Sequence, residues 1–304
     1  MDALIVSFNT REAVRDTLTS LLRHPPPADV AELRVSVFDN DSSDGSADMI
    51  AREFPDARLV LSAVNLGFGR ANNRLASTST ADYLLLLNSD MILTEDIASP
   101  LMRALGEDPR LIAAGPRLVH PDGRVQYSAH RLPTLSYEFA QAVRGRRLGR
   151  VVGPMFDSQK RIDAVHEWTL TDERVDPRTP EFLWATCWLV RRADVAAEGL
   201  FDEAFPMYDE DLDFCHRARQ RGRTLRYVPS AEIVHVGGLS SKTSADKLRL
   251  MTRARHRYYR RHHGLLTAAL YAGGVPVVER LALLLETIPR PRPWPWPSRR
   301  RPGR

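Results

Sequence analysis

Arg34-Val35-Ser36-Val37-Phe38-Asp39-Asn40-Asp41-Ser42-Ser43-Asp44-Gly45-Ser46 changes character once, and that change decides the fold. Residues 34–38 are rich in β-branched and aromatic side chains and predict a strand. From Asp39 the chain turns to the Asp, Asn, Ser and Gly that close turns and cap helices. Met49, Ile50 and Phe54 then recur on one helical face. Strand, polar turn and helix in that order form the unit of a mainly parallel sheet covered by helices, an α/β fold. Asp39 reads as the first residue beyond the strand, at the C-terminal end where open α/β sheets bind ligands. Its carboxylate suits the donors of a base or a ribose; a plain capped turn would use the same residues.

The same alternation extends to both sides. Residues 3–8 predict a first strand, and Asn9 or Thr10 caps a helix with Val14, Leu18, Leu21 and Leu22 on one face. Pro25-Pro26-Pro27 ends it. Residues 58–61 predict a third strand, 71–77 a helix, and 83–87 a continuous apolar run suited to a strand buried on both faces. After Gly115-Pro116 the regularity fades: His120-Pro121-Asp122-Gly123 is a turn, and residues 131–180 read as loops and broken helices. Order returns with a strand over 182–190 and a short helix over 193–198. A helix over 211–221 is capped by Asp209 and stopped by Gly222, with short strands at 225–228 and 233–236 beyond it.

Charge divides unevenly along the 304 residues. Residues 1–241 carry 28 Lys and Arg against 35 Asp and Glu, a net charge of −7. Residues 242–263 carry +7 and the last 16 residues +6. The overall +5 therefore belongs to the C-terminal end, and the acidic body argues against nucleic acid as a partner. The first six residues read as a strand rather than a signal peptide. Cys187 and Cys215 lie in apolar stretches and read as reduced, buried thiols of a cytoplasmic protein.

Three further clusters carry chemistry. Asn88-Ser89-Asp90 follows the buried strand directly, and a carboxylate there suits a divalent cation shared with phosphates. Asp209-Glu210-Asp211-Leu212-Asp213 opens a helix with four acids in five residues. Helix-dipole stabilisation accounts for some of them, but crowded carboxylates also raise one another's pKa and can supply a general base. His235 leads into Gly237-Gly238 and is either a satisfied core histidine or a metal ligand.

In this order the clusters resemble the inverting family-2 glycosyltransferases of the nucleotide-sugar-binding GT-A fold, particularly the bacterial rhamnosyltransferase type. The matching stretches include Leu4-Ile5-Val6-Ser7-Phe8-Asn9, Val37 to Ser46, Asn65-Leu66-Gly67-Phe68-Gly69-Arg70-Ala71-Asn72-Asn73, Leu84 to Asp90, and Tyr208 to Arg217. The resemblance covers residues 3–240. It implies a nucleotide-sugar-binding half over 1–118 and an acceptor-binding, catalytic half over 119–241 of one domain. A basic amphipathic helical extension over 242–288 and a disordered tail over 289–304 would follow. Asp39 would bind the base, with Ser7 and Asn9 at the rim. Asn65, Gly67, Arg70, Asn88 and Ser89 would line the donor site. Asp90 and His235 would hold Mg²⁺ or Mn²⁺, and Asp211, paired with Glu210, would be the catalytic base. The donor implied is a nucleotide sugar, dTDP-rhamnose first, and the acceptor a lipid-linked or cell-wall glycan. Asn88 replaces the first carboxylate of the commoner metal element, and Pro206 and Asp209 stand where relatives usually carry Phe and Gly.

The basic end adds an expectation about location. Residues 253–263 combine cations with two tyrosines and precede an apolar stretch too interrupted to span a membrane. The last 16 residues hold six Pro, six Arg and two Trp. Such a segment suits an anionic membrane surface, so the protein is expected peripherally on the cytoplasmic face, with homo-oligomers left open. The competing readings are a sugar nucleotidyltransferase, which would want a Gly-rich phosphate loop after the first strand, and a non-catalytic module that uses the basic end to bind membrane or nucleic acid.

Overall fold

The computed structural model describes residues 1–143, 180–237 and 244–287. The loops expected over 144–179, Gly238 and the tail over 289–304 lie outside the described residues. The elements are β1 (Asp2–Ser7), α1 (Arg11–Arg23), β2 (Arg34–Asp39), α2 (Ser46–Glu53), β3 (Arg58–Leu61), α3 (Phe68–Thr78), β4 (Tyr83–Asn88) and β5 (Met91–Leu93). They continue with α4 (Ala98–Glu107), β6 (Leu111–Val119), β7 (Val125–Gln126), β8 (Ala129–His130), α5 (Leu135–Val143), β9 (Phe182–Leu183) and β10 (Cys187–Arg191). The last are α6 (Arg192–Glu198), α7 (Glu210–Gln220), β11 (Thr224–His235) and α8 (Ser244–Thr287).

One large sheet has the order β3-β2-β1-β4-β10-β6-β11-β5, with β7 paired to β6. Its first half, β3 to β4, is wholly parallel. β10 is inserted antiparallel between β4 and β6, and β11 returns parallel to β6. The run Leu84-Leu85-Leu86-Leu87 shows why β4 sits centrally: Leu85 and Leu87 enter one core cluster and Leu84 and Leu86 the other. Side chains alternate across a strand, so an unbroken apolar run fits only where both faces are covered.

The structure corrects several details. Asp39 is the last residue of β2, opposite Ser7 and Leu61, rather than the first beyond it. Leu22 is 52% exposed, because the buried face of α1 is Val14, Leu18 and Leu21. Residues 182–190 do not form one strand: β9 pairs with β8 in a separate ribbon, and the chain crosses at 184–186 before joining the main sheet as β10. The two short strands expected at 225–228 and 233–236 are one strand with an irregularity between Val228 and Glu232. Asp209 precedes α7 but makes no side-chain cap. Sequence periodicity also passed over β5 and α4, which add Met91, Leu93, Leu101 and Leu105 to the core.

α8 is two helical segments. Gly264 has φ +86°, a left-handed conformation that breaks the helix between them. Tyr258, Tyr259, Ala268 and Tyr271 of α8 form a third apolar cluster with Phe205 and Leu212, so one face of the extension is packed onto the body.

Candidate active site

Three parallel strands end side by side. Ser7 lies opposite Asp39, and Val6 opposite Asn88, so β1, β2 and β4 present Ser7, Asp39 and Asn88 at one edge of the sheet. Asp39 is 3% exposed. Its Oδ1 accepts the Ser42 N–H at 2.9 Å, while Oδ2 is buried without a protein partner. A buried carboxylate oxygen left this way is costly unless a ligand donor satisfies it.

Neighbouring groups hold this edge in shape. Asn9, at φ 52°, accepts the Ser43 N–H at 2.8 Å and donates its own N–H to Ser42 Oγ at 2.9 Å. Ser7 Oγ and Thr10 Oγ1 are 3.1 Å apart, and Thr10 donates to Ser89 Oγ at 3.0 Å. This hydroxyl chain ties the end of β1 to Asn88-Ser89-Asp90. Asn88 itself donates its N–H to the Thr186 carbonyl at 3.0 Å.

The 65–70 segment is clamped from both sides. Asn65 Oδ1 accepts the Gly67 N–H at 2.9 Å. Asn40 accepts the Leu66 N–H at 2.7 Å and donates to the Gly67 carbonyl at 3.3 Å. Gly67 has φ +82°, and a Cβ there would stand 1.8 Å from the Pro206 carbonyl oxygen. Only glycine allows this segment to press against the one that leads into α7. Arg70 reaches that segment too, donating to the Glu203 carbonyl at 3.1 Å.

Asp90 and His235, 145 positions apart in sequence, meet because β11 pairs with β5. His235 Nε2 lies 3.3 Å from Asp90 Oδ1. On its other side the imidazole Nδ1 is bonded to Gln126 Oε1. In the neutral ring, an amide oxygen there would hold the proton on Nδ1 and leave Nε2 as the nitrogen able to bind a metal. Two ligands at right angles about 2.1 Å from an octahedral Mg²⁺ would stand about 3 Å apart, so the donor set fits a small divalent ion. Among the described residues no group of three His, Cys, Asp or Glu forms a closed metal cluster. A divalent ion held by this pair would draw its other ligands from water and phosphate oxygens.

The acid pair sits at the start of α7. Tyr208 and Asp209 have φ 67° and 59°, left-handed conformations that cost a non-glycine residue about 1–2 kcal/mol. Glu210 is buried, with Oε2 unpartnered. Burial first, then the neighbouring Asp211 and Asp209, push its carboxyl well above the usual range. Asp211 is half-buried. Its Oδ2 accepts the Ala185 N–H at 3.1 Å and its Oδ1 the Leu212 N–H at 2.8 Å. Burial raises its pKa to about 6, with the Ala185 and Leu212 hydrogen bonds opposing and Asp209 adding to the rise. Asp211 therefore ionises before Glu210 and is poised near neutrality, where a general base is most effective. The acid pair and the 65–70 segment are adjacent: a Cβ on Gly69 would lie 3.6 Å from that of Glu210.

Several structural partners were not singled out from the sequence. Asn40 stood within a quoted motif, and Thr10 was expected only as a possible cap of α1, where its side chain makes no cap bond. Gln126 gave no local signal, since its relation to His235 exists only through strand pairing. Cys187 and Cys215 are buried free thiols whose pKa burial raises, so neither is an activated nucleophile.

Comparison with known proteins bears on the family and the fold. Residues 2–196 match the family described as Glycosyl transferase family 2. The chain is 32% identical over 216 residues to the N-acetylglucosaminyl-diphospho-decaprenol L-rhamnosyltransferase of Mycobacterium tuberculosis, covering 66% of each chain. It thus spans just under two thirds of that relative. Among solved structures it resembles GalNAc-T7 with UDP, GalNAc and Mn²⁺, with TM-score 0.58, 14% identity, and coverage of 83% of this chain and 47% of that one. It also resembles the mannosyltransferase PcManGT of Pyrobaculum calidifontis in complex with GDP-Man and Mn²⁺, with TM-score 0.56, 13% identity, and coverage of 93% and 72%. These likenesses show the GT-A fold expected from the sequence.

Proposed function

The chain belongs to glycosyl transferase family 2, and on that premise we propose that it is a metal-dependent inverting glycosyltransferase. It would move a sugar from a nucleotide-sugar donor to a hydroxyl of a lipid-linked or cell-wall glycan. The observation that carries this reading is Asp211, a half-buried carboxylate with a pKa near 6 and both oxygens oriented by backbone N–H groups. Each oxygen keeps a lone pair after accepting one such bond.

In this reading Asp39 receives a hydrogen bond from the nucleobase, and the Ser7, Asn9 and Asn65 to Arg70 segments shape the donor pocket. Asp90 and His235 would hold the divalent ion, whose charge, when bound, would offset that of the diphosphate. Asp211 takes the proton of the acceptor hydroxyl as its oxygen attacks the anomeric carbon opposite the leaving group. One displacement inverts the configuration, and no enzyme nucleophile is needed. Glu210, held neutral, leaves Asp211 as the single negative partner of that proton. The mycobacterial relative's name favours rhamnose as the sugar, with dTDP-rhamnose as the first donor to test.

The lipid-linked acceptor goes with a peripheral membrane contact through the outer face of α8. Leu266, Leu270, Val277, Leu281 and Leu284 are exposed there, at helical spacing and opposite the packed residues Ala268 and Tyr271. No described helix is long and apolar enough to cross a membrane.

A panel of nucleotide sugars, each scored by thermal stabilisation with and without Mn²⁺, tests the donor half. One donor should raise Tm only when Mn²⁺ is present, and Asp90→Ala should abolish that dependence. Equal stabilisation of both proteins would remove Asp90 from the site.

A further inference from the structure

The basic stretch 253–263 does more than supply surface charge. Arg255 is largely buried between two elements of the body. Its Nε and Nη2 donate to the two carboxylate oxygens of Asp209 at 2.9 and 3.1 Å, and Nη1 donates to Glu138 of α5. Burial alone would weaken the guanidinium's hold on its proton, but the two carboxylates outweigh it and keep it charged. A second anchor lies two helical turns on, where His262 Nε2 is 2.8 Å from Asp213 Oδ1, which Arg261 also approaches.

Asp209 is the residue immediately before Glu210 and Asp211, and it stands in a left-handed conformation together with Tyr208. A non-glycine residue keeps that conformation only when its surroundings over-determine it. Among the described residues, the side-chain hydrogen bonds on the Asp209 carboxylate come from the Arg255 fork, and that carboxylate does not cap α7.

We infer that Arg255 is a positioning residue for the transfer reaction: by gripping Asp209 from the C-terminal extension, it fixes the entry to α7 and so the placement of Asp211. The inference rests on Asp211 acting as the base. Among the described residues, the titratable groups beside Asp211 are Asp209 and Glu210, the latter held neutral by burial, and the charged groups facing Arg255 are Asp209 and Glu138. Tyr258, Tyr259 and Tyr271 also lie near Arg255 and are held neutral by burial. Asp209 adds to the rise of Asp211, and the guanidinium forked onto it offsets part of that charge.

The test is a double-mutant cycle on the full chain. Arg255→Lys keeps a charge but cannot fork to Asp209 while reaching Glu138. It should lower kcat roughly tenfold to a hundredfold, as small misplacements of a reacting group do, with the donor KM changed less than twofold. Asp209→Gly frees the backbone of the need for a clamp, so adding Arg255→Lys in that background should cost less than twofold. Arg255→Gln, which removes the charge as well, should move the acidic limb of the pH profile of kcat/KM upward. This shift should vanish in the Asp209→Gly background. An unchanged kcat in Arg255→Lys, or an equal loss with and without Asp209→Gly, overturns the inference. If Arg255→Gln does not fold, the lysine cycle decides alone. Turnover retained in Asp211→Asn would instead sink the assignment of the base, which separates the two failures.

Discussion

At the residue scale, the site depends on carboxylates that burial keeps out of their ordinary ranges. Asp211 titrates near 6 in the folded chain against an ordinary value of 3.8, a difference equivalent to about 3 kcal/mol. Between these two pH values the folded chain binds more protons than the unfolded one, so this residue lowers stability as pH rises from about 4 to 6. Two outcomes are expected. The kcat/KM profile should rise with pH and level off above an apparent pKa near 6, a value belonging to the Glu210 and Asp211 pair together. Asp211→Asn should raise Tm above pH 6, measured by thermal melting, because it removes the buried charge. Asp39 invites a separate test: Asp39→Ala should weaken donor binding, read by calorimetry, by about 1–3 kcal/mol, the range for losing a charged hydrogen-bond acceptor.

At the element scale, what the sequence made legible is what strand ends encode locally. Asp39 and Asn88-Ser89-Asp90 close or follow an apolar run, so their place at strand ends was legible locally, whereas Ser7 entered only through the resemblance to the family. Pairings between distant segments were not legible. Gln126 and His235 are 109 residues apart, and Arg255 and Asp209 are 46 apart, so neither contact leaves a local pattern. The break of 182–190 into two strands was hidden for the same kind of reason: each half is apolar, and only the crossing at Ala185 brings its N–H to Asp211. Gly67 offers a test at this scale. Gly67→Ala must push back either the 65–70 segment or Pro206, given the 1.8 Å approach. Donor affinity and kcat should therefore both fall, measured by steady-state kinetics over a range of donor concentrations.

At the scale of the whole molecule, the extension joins an acidic body to its basic end. One face of α8 is occupied by that union, through Arg255, Tyr258, Tyr259, Arg261 and His262. The opposite face carries Arg249, Arg253 and Arg260 in the first segment and the leucine stripe in the second, all exposed. Basic residues at an anionic surface contribute about 1 kcal/mol each. The chain should therefore co-sediment with vesicles containing phosphatidylglycerol but poorly with phosphatidylcholine alone. Leu266→Ser with Leu281→Ser should reduce that binding while leaving turnover of a water-soluble acceptor within about twofold, since these residues face away from the packed side. The most direct test of the central claim is single-turnover transfer by Asp211→Asn, with donor affinity measured in parallel by calorimetry. The account predicts transfer reduced by at least about a thousandfold with donor Kd within threefold of the unaltered protein, the pattern of a group that acts only in the chemical step. Transfer at an undiminished rate would contradict it.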